Sequence, residues 1–170
     1  MSAGTDLLVD AFGRIQEIVD DVLSGLGTDE LSARLDEDAN SIGWLVWHLT
    51  RVQDDHIADA AGTEQLWTAQ GWYERFALPF ADADTGFGHS PEDVAAVRDV
   101  SRQLLNGYHG AVHDNTVRFL KGLHVKDLDR VVDEGWAPPV TLGVRLVSVI
   151  TDDLQHAGQA AFVRGVLRRG

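Results

Sequence analysis

Thr151-Asp152-Asp153-Leu154-Gln155-His156-Ala157-Gly158-Gln159 sits inside a helical pattern that runs from Thr141 to about Arg168. Leu146, Ile150, Leu154, Ala157 and Ala161 recur at steps of three and four and give one apolar stripe. Val144, Val149 and Val163 make other faces apolar too, so a deeply buried helix is expected. A polar seam of Arg145, Ser148, Asp152, His156 and Gln159 runs along it. Asp152 and His156 lie four residues apart, on one side of a helix, where two side chains can grip one ion. Periodicity leaves open whether the seam faces water or a wet bundle interior.

Three more long helical patterns precede this one. Leu8, Phe12, Ile15, Val19, Val22 and Leu26 form a stripe over about 6–25, closed by Gly25 and Gly27. A short helical turn follows from Thr28 to about Leu35. Asn40-Ser41 caps a helix over about 41–61, with Ile42, Leu45, Leu49 and Val52 on its stripe and His48 at the stripe's edge. Ser90-Pro91-Glu92-Asp93 is a strong start signal for a helix over about 91–123, with a break near Val100-Ser101. Between these last two, Trp67, Trp72, Tyr73, Phe76, Phe80 and Phe87 are interleaved with Gly, Pro and Asp, too aromatic for a disordered linker. A packed excursion with a short helix near Trp72 to Leu78 is expected. No period suggests strands, so the chain reads as one all-α domain, a four-helix bundle with short extra helices.

Composition narrows the function. The 170 residues carry 27 acidic and 14 basic side chains, a net charge of −13. Such a surface repels a phosphate backbone, so nucleic acid is not an expected partner. Arg164, Arg168 and Arg169 form the basic cluster at the tail and suit a helix C-terminus. No apolar run suggests a membrane span and no leader pattern is visible, so a cytoplasmic protein is expected. Cysteine is absent, which excludes thiolate ligands and a cysteine nucleophile. Any metal must be held by His, Asp or Glu, and any thiol chemistry must use a small-molecule thiol.

His48 lies about a hundred residues before Asp152 and could supply a third ligand across two helices. Zinc and nickel accept this mixture of imidazole nitrogen and carboxylate oxygen. His109 and His113, also four apart, are a competing pair that flanks the stripe at Tyr108 and Val112 and is read as exposed. His56 is a weaker candidate, and His89 and His124 fall in loops with nothing to argue for them. Gly86-Phe87-Gly88 is too short to cradle a phosphate, and no serine nucleophile elbow is present.

With Ser41-Ile42-Gly43-Trp44-Leu45-Val46-Trp47-His48-Leu49 on the second helix and Asp152-x-x-x-His156-x-Gly158-Gln159 on the last, the chain resembles the DinB-like superfamily. That superfamily includes mycothiol-dependent maleylpyruvate isomerase and bacillithiol transferases. Gly71-Trp72-Tyr73-Glu74-Arg75-Phe76 and Pro139-Val140-Thr141-Leu142-Gly143-Val144 look like an actinobacterial branch without assigned function. The resemblance implies an up-down-down-up bundle, a homodimer, a small-molecule substrate and a divalent metal held by His48, His156 and the residue four before it. The family most often has histidine at that third position; here it is Asp152, with Asp153 able to substitute if the helix is rotated. The activity implied is thiol transfer or isomerisation, with a mycothiol-like cofactor bound at the metal's open position. Arg51, Asp55 and Trp72 are expected to line the pocket. The alternatives are a non-catalytic small-molecule-binding or stress-response bundle, and a metallohydrolase with Asp55 or Asp153 as base.

Overall fold

The computed structural model describes residues 3–169. Four long helices make the frame: α1 (Ala3–Leu23), α3 (Ile42–Ala61), α7 (Arg102–Lys121) and α8 (Leu142–Leu167). Short helices α2 (Thr28–Ser32), α4 (Leu66–Ala69), α5 (Trp72–Phe76) and α6 (Pro91–Ala96) decorate the connections. The long helices begin where local chemistry satisfies their free amides. Ser41 accepts from the Trp44 amide, Ser101 from Leu104 and Thr141 from Val144. Each such cap is worth about 1 kcal/mol. Ser90 and Asp93 form the reciprocal capping box at α6, with Pro91 in the first turn.

Side-chain pairs fix the topology. Arg164 of α8 reaches Asp21 and the Ser24 carbonyl at the C-terminal end of α1, so these helices run parallel. His48 packs on His156, and His56 bonds Arg145, so α3 and α8 are antiparallel. Thr50 meets His109 and Gln53 meets Thr116, which sets α3 and α7 parallel. The order is up-down-down-up, and an all-α bundle is what the structure shows. Phe12, Ile15 and Val19 of α1 meet Leu45 and Leu49 of α3, Leu105 and Val112 of α7, and Leu146 and Val149 of α8 in one buried core.

The expected break in the third long helix is present, and three other expectations change. The third long helix is two elements: α6 ends at Ala96, Asp99 takes a positive φ of 61°, and α7 starts afresh at Arg102. A small antiparallel hairpin joins β1 (Val131–Asp133) to β2 (Val140–Thr141), after a 3₁₀ turn at Val125–Asp129. Helix α2 stops at Ser32, short of Leu35. Helix α8 is rotated from its expected phase and is not buried all round. Its inner face is Leu142, Leu146, Val149, Asp153, Ala157, Ala160 and Val163, while Val144, Val147, Leu154 and Phe162 are exposed. No helix among the described residues is long and apolar enough to cross a membrane.

Candidate metal centre

The rotation of α8 turns Asp152 and His156 toward α3, half-buried, opposite a buried His48. One ligand atom from each of the three residues lies within 4.8 Å of the other two. Among the described residues this is the cluster of three His, Asp or Glu side chains that can hold an ion.

The imidazole tautomers are set by carbonyls. His48 Nδ1 lies 2.5 Å from the Thr85 carbonyl oxygen, which can only accept, so Nδ1 carries the proton and Nε2 a free lone pair. His156 Nδ1 lies 2.8 Å from the Asp152 carbonyl oxygen and donates to it in the same way. Its Nε2 is therefore also a free base. The Asp152 Oδ2 atom is buried and accepts no hydrogen bond, although the His156 Nδ1 atom lies 3.3 Å from it. One proton on Nδ1 serves the backbone carbonyl well and the carboxylate poorly. Two presented imidazole nitrogens and one orphaned carboxylate oxygen suit a divalent cation, and the donor set fits zinc or nickel chemistry. Carbonyl-tethered histidines are also what metal sites use to orient their ligands.

Charge follows geometry. Burial pulls His48 below its usual value and keeps it neutral, outweighing the help its proton receives from Thr85. Burial would lower His156 as well, but hydrogen bonding to Asp152 and its negative charge raise it on balance. Burial would raise Asp152, yet the His156 proton and the nearby imidazoles hold it below the usual carboxylate range. The pair thus favours an ionised carboxylate.

The wall behind His48 is the aromatic excursion. Trp44 stacks on the His48 ring at 4.6 Å between centroids, and His156 meets the same ring edge-on at 4.7 Å. Gly86, at φ +90°, passes so close that a Cβ there would sit 2.9 Å from His48 Nδ1 and 2.9 Å from a Trp47 ring carbon. Only glycine tolerates both the dihedral and the approach. The loop is anchored from beneath: Arg51 donates to the carbonyls of Asp82 and Asp84, and Asp84 accepts from the Gly86 amide. His89 closes the strap by accepting from the Trp44 indole and pairing with Asp84.

A cavity of about 430 Å³ opens beside the cluster, lined by His48, Asp152, Thr85, Phe87 and, farther along, Val52, Asp55, His56, Ser148 and Val149. Asp55 is among the lining residues. Arg51 is not: it is wholly buried, held by Gln65, Tyr108 and Asp54, and acts as the anchor of the loop. Trp72 is not either: it is buried against Tyr108, with the Arg75 guanidinium over its ring. Asp153 is no substitute ligand. It lies on the inner face of α8, fully buried, with neither carboxylate oxygen partnered, and burial pushes its pKa far up.

The competing pair is also placed elsewhere. His109 is buried between helices, its Nδ1 within 3.1 Å of the Thr50 hydroxyl, and burial lowers its pKa to about 3. His113 is half-buried, and the two bring no third ligand with them among the described residues. The parts that sequence reasoning passed over are the Thr85 carbonyl, Gly86, Phe87 and His89. A backbone carbonyl leaves no side-chain signal, but the two glycines around Phe87 were a visible sign of a tight backbone approach.

The match to known proteins agrees with this architecture. Residues 7–169 match the family described as Mycothiol-S-transferase. A crystal structure of a conserved protein from Enterococcus faecalis superimposes with a TM-score of 0.89 at 34% identity, covering 96% of each chain. No curated protein matches the chain. With a family match across nearly its whole length and a DinB-like bundle, the chain belongs to the mycothiol-S-transferase family.

Proposed function

We propose that this chain is a divalent-metal-dependent transferase that joins a low-molecular-weight thiol, mycothiol or a close analogue, to a small electrophile. At family level a mycothiol-related transferase is the supported activity. The observation that carries the finer reading is the shared orientation of His48 and His156. Each spends its Nδ1 proton on a carbonyl, so both Nε2 atoms are offered beside an unpartnered Asp152 oxygen at the edge of a cavity.

A divalent ion held by His48, Asp152 and His156 would supply Lewis acidity that lowers the pKa of a bound thiol. The chain's own groups do the rest. Burial keeps His48 neutral, and with both Nδ1 protons directed at carbonyls it is the Nε2 atoms of His48 and His156 that would face the ion. Asp152 lowers the positive charge of the site by one relative to three imidazoles. Trp44 and the Gly86 backbone cover the inner side of His48 and exclude water from it. The absence of cysteine leaves no competing thiol in the chain.

The hydrolase alternative rests on Asp55, which lines the cavity, whereas the other candidate base, Asp153, is sealed in the core. Neither is bonded to a metal-ligating side chain. Metal content per chain tests the leading reading, with protein purified without chelator and then exposed to zinc or nickel. Near one ion per chain is expected, lost in His48→Ala and His156→Ala. Conjugation of mycothiol to 1-chloro-2,4-dinitrobenzene should appear with the metal and vanish with a chelator. A chain that takes up metal but never consumes the thiol refutes the transferase reading.

A further inference from the structure

The cavity extends well beyond the three ligands. His56 follows His48 by eight residues on α3, a rise of roughly 12 Å, and Ser148 precedes Asp152 by four on α8, roughly 6 Å. Both line the cavity, as does Asp55. Their hydrogen-bonding roles are fixed by their other partners. Arg145 lies 3.1 Å from His56 Nδ1, and a guanidinium only donates, so Nδ1 accepts and the His56 proton sits on Nε2. Among the described residues that Nε2–H has no acceptor. Ser148 donates its hydroxyl proton to the Val144 carbonyl at 3.0 Å and keeps only acceptor capacity. Asp55 accepts from Gln65 on Oδ1 at 2.7 Å, which leaves Oδ2 as a charged acceptor.

The end of the cavity thus presents one donor and two acceptors. Arg145 adds no free positive charge, because Asp59 at 3.1 Å and Asp133 at 3.3 Å neutralise it. A hydroxyl both donates one proton and accepts, so two neighbouring hydroxyls satisfy all three groups: one accepts from His56 and each donates to one acceptor. A carboxylate only accepts, so it would find one partner, two lone-pair clashes and the Asp55 charge. Across the opening stands Phe87, 91% exposed, between Gly86 at φ +90° and Gly88 at φ +76°. Its ring faces solvent at a hydrophobic cost unless a ligand covers it. It offers an apolar plate for the C–H face of a ring that carries hydroxyls on its rim.

We infer that Asp55, His56 and Ser148 form a second subsite at the far end of the metal cavity, which binds the hydroxyl-rich, uncharged tail of the thiol and rejects carboxylate-bearing thiols. The subsite rests on the thiol-transfer reading above and deepens it. The thiol-bearing carbon lies at the His48/Asp152/His156 end, and the tail reaches roughly 6–12 Å along α3 and α8. Specificity arises as much from the misfit of an anionic tail as from the bonds made to a neutral one.

Two measurements test it. In the first, S-methylated mycothiol, which has no ionisable thiol, is titrated into metal-free protein while the His56 ring nitrogens are followed by NMR. A shift of the protonated Nε2 resonance is expected, and its absence overturns the subsite. In the second, steady-state kinetics compare zinc-loaded wild type with His56→Leu and Asp55→Asn, each checked for wild-type zinc content. His56→Leu should raise the KM for mycothiol about tenfold with kcat changed less than about twofold, the mark of lost ground-state binding. Asp55→Asn should bind glutathione more tightly than wild type. Unchanged KM in the first variant, or unchanged glutathione affinity in the second, overturns the corresponding half. If the blocked thiol shifts His56 but no conjugation occurs with any thiol, the transferase reading fails and the subsite stands. If conjugation occurs and His56 is silent, the reverse holds.

Discussion

The Thr85 carbonyl takes the Nδ1 proton of His48 at 2.5 Å, across 37 residues of sequence. The bond joins the most buried residue of the candidate cluster to a loop with little regular structure. Gly86, the next residue, holds the loop against the imidazole and Trp47. The ligand is therefore aimed by the loop, and changes to the loop should be felt at the metal.

Gly86→Ala should move the loop off His48, because a Cβ would meet two rings at 2.9 Å and the backbone holds φ at +90°. Zinc affinity, measured by competition with a chromophoric chelator, should fall about 10–100-fold, the usual cost of losing a ligand's orienting partner. Wild-type affinity in a folded variant would show that Thr85 does not aim His48.

Arg51→Lys should also release the loop, this time from below. The guanidinium serves the Asp82 and Asp84 carbonyls and Gln65 at once, a fork that an ammonium cannot reproduce. Asp54, whose carboxylate also caps the start of α4, lies 3.9 Å from the guanidinium and would face a differently placed charge. A loss of about 1–3 kcal/mol is expected from urea unfolding, the usual cost of leaving a buried acceptor unpaired.

His109 predicts an acid limb in the stability curve. The folded protein holds it neutral down to about pH 3, whereas the unfolded chain protonates it near the ordinary value of 6.5. Between those values the unfolded state binds more protons, so stability falls as pH is lowered through that window. The slope from this one residue approaches about 1.4 kcal/mol per pH unit. His109→Leu should flatten the curve there, and Thr50 would still donate its hydroxyl proton to the Val46 carbonyl. An identical acid limb in the variant would assign the loss to other groups.

Asp153→Leu should stabilise the bundle. The carboxyl is wholly buried with both oxygens unpartnered, in the position that the helix reserves for apolar packing. Replacing an unsatisfied polar group by an apolar one removes a penalty of about 1–3 kcal/mol. Thermal unfolding of metal-free protein reads this without interference from the neighbouring ligand. A lower midpoint would mean that Asp153 has a partner that this arrangement does not reveal.

Asp153 also shows where a single sequence stops being informative. Helix caps were legible because they are local: Ser41, Ser90 and Asp93 bond groups within three residues of themselves. The gathering of His48, Asp152 and His156 was legible through two short motifs and their spacing. The phase of α8 was not, because valines and leucines occupy every face and the chain buries an aspartate while exposing Phe162. Arg51 looked like a pocket residue because it is one turn beyond His48, but that step swings it to the loop side of α3. Trp72 is drawn into the core by Tyr108, a partner 36 residues away that no local pattern announces. The hairpin of β1 and β2 is too short for any period to betray it.

The ligands also differ in when they become available. Helix α3 and its loop bring His48, Thr85 and Gly86 together within about forty residues, whereas Asp152 and His156 arrive only with the last helix. During synthesis, which proceeds at roughly 5–20 residues per second, the first wall of the centre exists for several seconds before the second leaves the ribosome. Until then only one of the three residues of the cluster, His48, is in place. An ion held by all three residues would therefore load only onto the finished bundle.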